Sequence, residues 1–304
     1  MPDVALIVLN WNGADLMRRH LPAVVRAARS ARASTAVYVI DNASEDDSRA
    51  YLETLADVEL IAMPDNRRLA AYNDAVRELD CEAFMMLNND VSPVADVVDP
   101  LLETLRGAPD AFAVGGDVVE IGSGWLESGP SSARWEGRWV LEPTGASAGE
   151  EVVNVAYVSG GAGLYRREMF VELGGFWEAL PGLYWEDVEL GLRAWLHGWR
   201  SLYDPRIHFD HAGGATVKRT LNPRVRELRT YQNIRLAHLA LLLDRDDLRE
   251  YLGGELRQAL RKPYQLAAAL SLLRSLGEIR AHRALLRERC ASVSARELQM
   301  RWRQ

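Results

Sequence analysis

Cysteine is scarce in this 304-residue chain, which contains only Cys81 and Cys290. The two match no metal-ligand spacing, so no disulfide framework is predicted and a reducing compartment is favoured. No apolar run reaches the roughly 18 residues that a membrane-spanning helix needs, and no transmembrane segment is predicted. The N-terminus lacks a basic region and a small-residue cleavage site, which indicates a first strand rather than a signal peptide.

The first half of the chain alternates short apolar runs with helical patterns. The predicted strands are Val4–Leu9, Ala36–Ile40, Val58–Met63 and Phe84–Leu87. The helices between them are Ala14–Ser30, Ser44–Leu55 and Leu69–Leu79. This order predicts an α/β fold with a mostly parallel sheet and right-handed crossovers. Because no G-x-G-x-x-G motif follows the first strand, a nicotinamide-binding unit is not expected.

Residues 122–150 have a different composition, in which Gly, Ser, Glu and Trp dominate. They predict a long excursion with a hairpin around Arg134–Leu141, and such loops are often functional. A strand is predicted over Val152–Val158, with helices starting near Arg166 and Glu186.

The charge changes sign along the chain. Residues 1–223 hold 19 Lys and Arg against 34 Asp and Glu, and residues 224–304 hold 17 against 9. Two apolar stripes predict amphipathic helices in the basic segment; they comprise Leu228, Ile234, Leu236, Leu239 and Leu242, then Leu266, Leu270, Leu273 and Leu276. This segment either meets an anionic surface, such as membrane or nucleic acid, or is a solvated or docked helical face.

Polar residues follow three predicted strands where each strand ends, as Asp41-Asn42, Asp65-Asn66 and Asn88-Asn89-Asp90. In open α/β sheets, ligands bind at the carboxyl ends of the strands. Asp and Asn oxygens suit Mg²⁺ or Mn²⁺, which also binds substrate phosphates. An ionised Asp41 could accept hydrogen bonds from a nucleobase or ribose. The alternative is that these residues form turns and helix caps.

Two carboxylates, Glu186 and Asp187, open a predicted helix directly after Tyr184 and Trp185. The helix dipole alone could explain their position. Alternatively, the aromatic rings partly desolvate a carboxylate, which raises its pKa and makes it a better general base. His211, which precedes a Gly-Gly pair, is either structural or a ligand.

These motifs, in this order, resemble a family 2 glycosyltransferase with the GT-A fold, of the bacterial rhamnosyltransferase-like branch. The resemblance covers roughly residues 3–235. The segments that carry it are Val8–Gly13, Asp41–Ser44, Leu87–Asp90, Val158–Ala162, Arg166–Arg167, Gly174–Phe176, Trp185–Leu190 with Arg193 and Gly198, and His211.

The resemblance implies a GT-A catalytic domain over 1–223, with a nucleotide-sugar half of about 1–120 and an acceptor half of about 121–223. The basic amphipathic pattern that follows predicts a helical C-terminal extension over 224–304. The resemblance also implies inverting transfer from a nucleotide-sugar, with dTDP-rhamnose favoured, to a hydroxyl acceptor on a glycan, lipid-linked sugar or small molecule. The implied base is Asp187, with Glu186 as alternative, and the Mg²⁺ or Mn²⁺ ligands are Asp90 and His211. The implied donor-binding residues are Asn10, Asp41, Asn66, Arg67, Asn73, Asn88 and Asn89, and the implied acceptor-binding residues are Trp185, Gly160 and Gly161.

Two departures from the family pattern qualify these expectations. Arg67 and Arg68 replace small residues, which leaves the donor open. Asn88 stands where other members of the fold have Asp, so Asp90 is the motif's one carboxylate and a weak metal site is expected. The chain is expected to be cytoplasmic, with membrane association through its basic helices as one option. The rival hypotheses are an inactive nucleotide-binding regulator or scaffold and a nucleic-acid-binding module; the acidic body disfavours nucleic acid as a partner.

Overall fold

A computed structural model of the chain describes residues 1–94, 96–142, 149–180, 184–213, 222–261, 272–290 and 293–303. Leu266 and Leu270 of the second predicted stripe lie outside these residues. The described strands are β1 Val4–Asn10, β2 Thr35–Asp41, β3 Glu59–Ala62, β4 Ala83–Asn88, β5 Val91–Pro93, β6 Ala111–Glu120, β7 Leu126–Ser128, β8 Ser132–Trp135, β9 Trp139–Glu142, β10 Val153–Val155, β11 Ala162–Arg166 and β12 Arg200–His211.

Ten α-helices are described, together with 3₁₀ turns at Arg68–Ala70 and Leu272–Ser275. The helices are α1 Ala14–Ser30, α2 Ser48–Leu52, α3 Ala71–Glu78, α4 Val98–Gly107, α5 Arg167–Leu173, α6 Glu186–Leu196, α7 Pro223–Leu241, α8 Arg245–Arg261, α9 Leu276–Arg289 and α10 Ala295–Trp302. No helix among the described residues combines the length and the apolar character needed to cross a membrane.

The main sheet is mixed, with strand order β10-β12-β6-β11-β4-β1-β2-β3. The four predicted strands form its parallel block, from β4 through β1 and β2 to β3. Strand β11 runs antiparallel to both β4 and β6, and β12 runs parallel to β6. The predicted α/β class with a mostly parallel sheet is confirmed, and so is the hairpin, as β8 and β9.

Strand β6 has no counterpart in the sequence predictions. It contains Gly115 and Gly116, and glycine weakens the strand signal. In the fold these glycines permit close packing: a Cβ on Gly115 would lie 2.8 Å from Val158, and one on Gly116 would lie 2.4 Å from Ile207. Contacts that are distant in sequence therefore stabilise this strand.

Apolar layers cover both faces of the sheet. Met85 and Leu87 of β4 pack in the layer that includes α1, whereas Phe84 and Met86 pack in the opposite layer. A strand buried on both faces reads as a continuous apolar run. The run therefore ends where the strand leaves the core, at Asn88.

A third apolar cluster joins the C-terminal helices to residues 133–196 of the chain. Trp139 of β9, Trp185 before α6, Trp195 of α6 and Trp302 of α10 share this cluster with Leu241 of α7. The C-terminal helices therefore pack on the body through these apolar side chains, and contact of their exposed faces with an anionic surface stays a prediction. The division into two domains at residue 223 stays a prediction.

Candidate functional site

The polar ends of β1, β2 and β4 meet in one hydrogen-bonded cluster. Asn10 and Asp41 are register partners on adjacent parallel strands. Asn10 Nδ2 lies 3.3 Å from Asp41 Oδ1, and Asn89 Nδ2 donates to Asn10 Oδ1 at 2.9 Å. Asn10 is fully buried and both ends of its amide are paired, and its predicted contact with the donor stays a prediction. A Cβ on Gly13 would lie 2.2 Å from Asn89 Nδ2, so glycine is required beside this cluster.

The third strand end is joined to the cluster through Asn42. Its side chain accepts a hydrogen bond from the Arg67 backbone N–H at 3.0 Å and donates to the Arg68 carbonyl at 3.1 Å. The Arg67 guanidinium pairs with Asp74 and with Glu178. Asn66 is exposed and caps its own turn by accepting from the Arg68 N–H. The predicted donor contacts of Asn66 and Arg67 stay predictions, and Arg67 would have to exchange a carboxylate partner to reach a diphosphate.

Asn73 is hydrogen-bonded at both ends of its side-chain amide. Its buried amide donates to the Phe176 carbonyl at 2.9 Å and accepts from the Phe176 N–H at 2.8 Å. Both ends of the amide are thus bonded to the loop after α5, and these two bonds help to hold that loop in place. Direct donor binding by Asn73 stays a prediction, and it would require the amide to leave these bonds and strand two buried backbone groups.

Asp90 and His211 form the candidate metal centre. His211 Nε2 lies 3.3 Å from Asp90 Oδ1, and the Ala212 N–H donates to the Asp90 carbonyl. On its other side, His211 Nδ1 contacts the Glu127 carboxylate. Burial alone would lower the pKa of His211, but the carboxylates of Asp90 and Glu127 raise it to about 9. Sequence reasoning missed Glu127, because nothing in its local sequence indicates that β7 pairs with β6 and brings Glu127 to His211.

The donor set suits a hard divalent cation, since a carboxylate and an imidazole can both bind Mn²⁺ or Mg²⁺. Across the described part of the chain, no group of three or more His, Cys, Asp or Glu side chains is arranged to hold a metal ion. Two protein ligands leave most coordination positions to water and substrate phosphate, which is how Mg²⁺ is commonly held. The Asn88 amide packs against the backbone of Gly161. A Cβ on Gly161 would lie only 2.3 Å from Asn88 Nδ2.

Asp187, at the start of α6, is the best-supported candidate base. Its carboxylate is half-buried and accepts hydrogen bonds from the Gly160 N–H at 3.3 Å and the Val188 N–H at 2.9 Å. Burial raises the pKa of Asp187, although these backbone N–H groups act in the opposite direction. Beneath the 158–160 turn, the Tyr165 hydroxyl lies 3.0 Å from the carbonyl oxygens of Val158 and Ser159. Gly160 therefore helps to position Asp187 through its backbone N–H. The predicted contact of Gly160 with an acceptor stays a prediction.

The two aromatic residues before α6 differ in exposure. Trp185 is 7% exposed, and its ring lies 5.4 Å from the ring of His238 on α7, so the side chain predicted to pack on the acceptor lies in the core. Tyr184 is 55% exposed instead. Both residues have positive φ, 68° and 79°, a conformation that costs energy in non-glycine residues. Asn233 Nδ2 of α7 donates to the Tyr184 carbonyl at 2.8 Å and helps to hold it.

A buried ionic network supports the same helix. Glu189 is fully buried and pairs with Arg193 at 2.8 Å and with His282 of α9 at 3.2 Å. Arg193 also donates to the carbonyls of Leu173 and Gly175, both at 2.7 Å. Burial alone would raise the pKa of Glu189, but Arg193 and His282 lower it. Helix α6 is thereby tied to α9 and to the loop that Asn73 holds.

Comparison with known proteins matches this architecture. The sequence profile of Glycosyl transferase family 2 matches residues 6–174, more than half of the chain. The glucosyl-dolichyl phosphate glucuronosyltransferase of Haloferax volcanii is 27% identical over 143 residues, which cover 46% of this chain and 45% of that protein. The chain thus spans about half the length of this relative.

Solved structures share the fold at low sequence identity. GalNAc-T7 with UDP, GalNAc and Mn²⁺ gives a TM-score of 0.58 at 16% identity, covering 79% of this chain and 48% of that one. The mannosyltransferase PcManGT of Pyrobaculum calidifontis, with GDP-Man and Mn²⁺, gives 0.52 at 18% identity, covering 91% and 75%. TarS of S. aureus with UDP gives 0.56 at 13% identity, covering 87% and 75%. These likenesses confirm the predicted GT-A fold.

Proposed function

The chain belongs to glycosyl transferase family 2, and from this premise we propose that it transfers a sugar from a nucleoside diphosphate donor to a hydroxyl acceptor with inversion at the anomeric carbon. The observation that carries the proposal is the half-buried Asp187 carboxylate, held at the start of α6 by two backbone N–H groups. A carboxylate with a raised pKa is a stronger base than an ordinary aspartate.

In the proposed reaction, Asp187 accepts the proton of the acceptor hydroxyl as that oxygen attacks the anomeric carbon. The bond from this carbon to the diphosphate oxygen breaks in the same step, so one displacement inverts the configuration. Asp90 and His211 would hold Mg²⁺ or Mn²⁺, which when bound neutralises charge on the departing diphosphate. Asp41, at the end of β2, would bind the base or ribose. The exposed Tyr184 ring, rather than Trp185, would face the acceptor.

For substrates, we propose dTDP-rhamnose as the first donor to test, on the resemblance to the rhamnosyltransferase-like branch. The acceptor is proposed to be a cell-envelope or polysaccharide glycan, a lipid-linked sugar or a natural product. The Haloferax volcanii relative is a glucosyl-dolichyl phosphate glucuronosyltransferase, which supports a lipid-linked acceptor for this proposal. The UDP and GDP-Man found in the structural neighbours make these nucleotides the next candidates.

Binding of dTDP, UDP and GDP is expected to tighten when Mn²⁺ is present, for whichever nucleotide the site accepts. Asp90→Asn should abolish most of this gain, because the neutral amide is a weaker cation ligand than the motif's one carboxylate. Calorimetric titrations with Mn²⁺ and with EDTA measure the difference directly. Asp110→Asn is the matched control, since Asp110 pairs with Arg200 at the start of β12, at the opposite end of that strand from His211. If Mn²⁺ increased the nucleotide affinity of Asp90→Asn as much as that of the wild type, the proposed metal site would be refuted.

We also propose that α7 brings the enzyme to an anionic membrane surface. Val225, Leu228 and Tyr231, spaced three residues apart, are 40%, 48% and 44% exposed. Such a stripe on a basic segment fits an interfacial helix. In flotation assays, the protein should bind vesicles that contain the anionic lipid phosphatidylglycerol and be released from them in high salt. Leu228→Glu should weaken binding, with exposed Leu285→Glu of α9 as control. Equal flotation of both variants and the wild type would contradict the proposal.

A further inference from the structure

The turn after β6 brings an unpredicted carboxylate to the candidate metal centre. Gly122 and Gly124 adopt positive φ of 92° and 68°, and the Glu120 N–H donates to the Trp125 carbonyl, which reverses the chain. Strand β7 then pairs with β6 through Val118 and Ser128. The glycines at the start of the 122–150 segment thus allow the tight turn that places Glu127 beside His211.

Glu127 meets His211 on the side of the ring that faces away from Asp90. His211 Nδ1 contacts the Glu127 carboxylate, while Nε2 lies 3.3 Å from Asp90 Oδ1. The His211 side chain is 14% exposed and that of Glu127 is 28% exposed, so water competes only partly for this contact. The imidazole therefore has a fixed orientation, with one nitrogen directed to each carboxylate.

This arrangement has a known chemical consequence for histidines that bind cations. A neutral imidazole can bind through one nitrogen only if the other carries the proton. A carboxylate that accepts this second N–H fixes the tautomer and ring orientation and makes the ligating nitrogen more basic. A backbone carbonyl or water can do the same, but neither adds negative charge.

We propose that Glu127 is a positioning residue that holds His211 as the Nδ1–H tautomer, so that Nε2 is directed at a divalent cation beside Asp90. The inference rests on the proposed function, because it assumes that Asp90 and His211 hold the cation. It extends the site by a residue on an element outside the predicted motifs. It also accounts for the long excursion between β6 and β8 as part of the donor site.

Glu127→Gln tests the proposal, because it keeps the side-chain size and removes the charge. Mn²⁺ affinity, measured by calorimetry in the presence of saturating dTDP, should fall about 10-fold to 100-fold. Glu127→Asp should recover part of the loss. Asp210→Asn is the matched control, since it removes a carboxylate next to His211 in sequence that pairs with His208 instead; its Mn²⁺ affinity should equal that of the wild type.

A second readout separates orientation from general stability. In long-range ¹H–¹⁵N spectra of the complex with Mg²⁺ and dTDP, His211 should be the Nδ1–H tautomer in the wild type and show a mixed or altered tautomer in Glu127→Gln. The His211→Asn spectrum assigns the signal. Wild-type Mn²⁺ affinity and an unchanged tautomer in Glu127→Gln would overturn the role of Glu127 alone. A wild type that itself shows no Mn²⁺ response would overturn the proposed metal site.

Discussion

Asp187→Asn is expected to lower kcat for sugar transfer by about 100-fold to 10,000-fold, the range that a positioned general base contributes. The amide keeps the shape of the side chain but cannot take the acceptor proton. Donor affinity, measured by calorimetry with the same nucleotide and Mn²⁺, should stay near the wild-type value because Asp187 lies in the half assigned to the acceptor. Steady-state turnover with a short acceptor measures the loss.

Glu186→Gln is the matched control for this result, because Glu186 is the neighbouring carboxylate and the alternative base. A loss in Glu186→Gln alone would move the base to Glu186, and two fully active variants would refute a carboxylate base in this segment. The wild-type pH profile gives an independent check. Burial raises the pKa of Asp187 above 3.8, the ordinary value for aspartate. As the pH is lowered, turnover should therefore begin to fall at a higher pH than it would with an ordinary aspartate as the base.

The stability of the same variant has an expected sign. A carboxyl whose pKa is raised in the folded state favours the protonated form there, so ionisation above that pKa destabilises the fold. Asp187→Asn removes this charge, and its Tm at pH 7 should be no lower than that of the wild type. The activity loss can then be assigned to chemistry rather than unfolding.

Arg193→Met is expected to lower the free energy of unfolding by about 3–5 kcal/mol, the usual effect of removing one partner of a buried ion pair. Glu189 would keep its charge in the core with His282 as its remaining described ionic partner. The carbonyls of Leu173 and Gly175 would lose donors at the same time. Urea unfolding at pH 7 measures the change.

Arg200→Met provides the matched control. Arg200 pairs with Asp110 at 2.7 Å, but both side chains are substantially exposed, at 36% and 51%. Solvent screening limits such pairs to about 0–1 kcal/mol. The double variant Arg193→Met/Glu189→Gln should be more stable than Arg193→Met alone, because the stranded charge is gone. Equal losses in Arg193→Met and Arg200→Met would show that the network around α6 adds little.

Features that depend on local sequence agree with the predictions, whereas several features that depend on long-range contacts do not. Ala14–Ser30 was predicted with the bounds that α1 has, because its apolar period is carried by its own residues. Asn73 was assigned to the donor by resemblance, yet its partner is Phe176, 103 residues away. Trp185 was expected to pack on the acceptor, but its ring lies in the core beside the ring of His238 of α7. Glu127 carried no signal at all.

The sequence by itself determined the parallel βα block, its polar strand ends and the order of motifs that indicates the family. These features follow from local periodicity and from the rule that parallel strands present their carboxyl ends at one edge. Only the tertiary structure decided which polar groups are already paired, which aromatic is exposed and which carboxylate reaches His211. Those outcomes depend on contacts between segments tens to hundreds of residues apart, and burial and pairing at such distances are not encoded in any one segment.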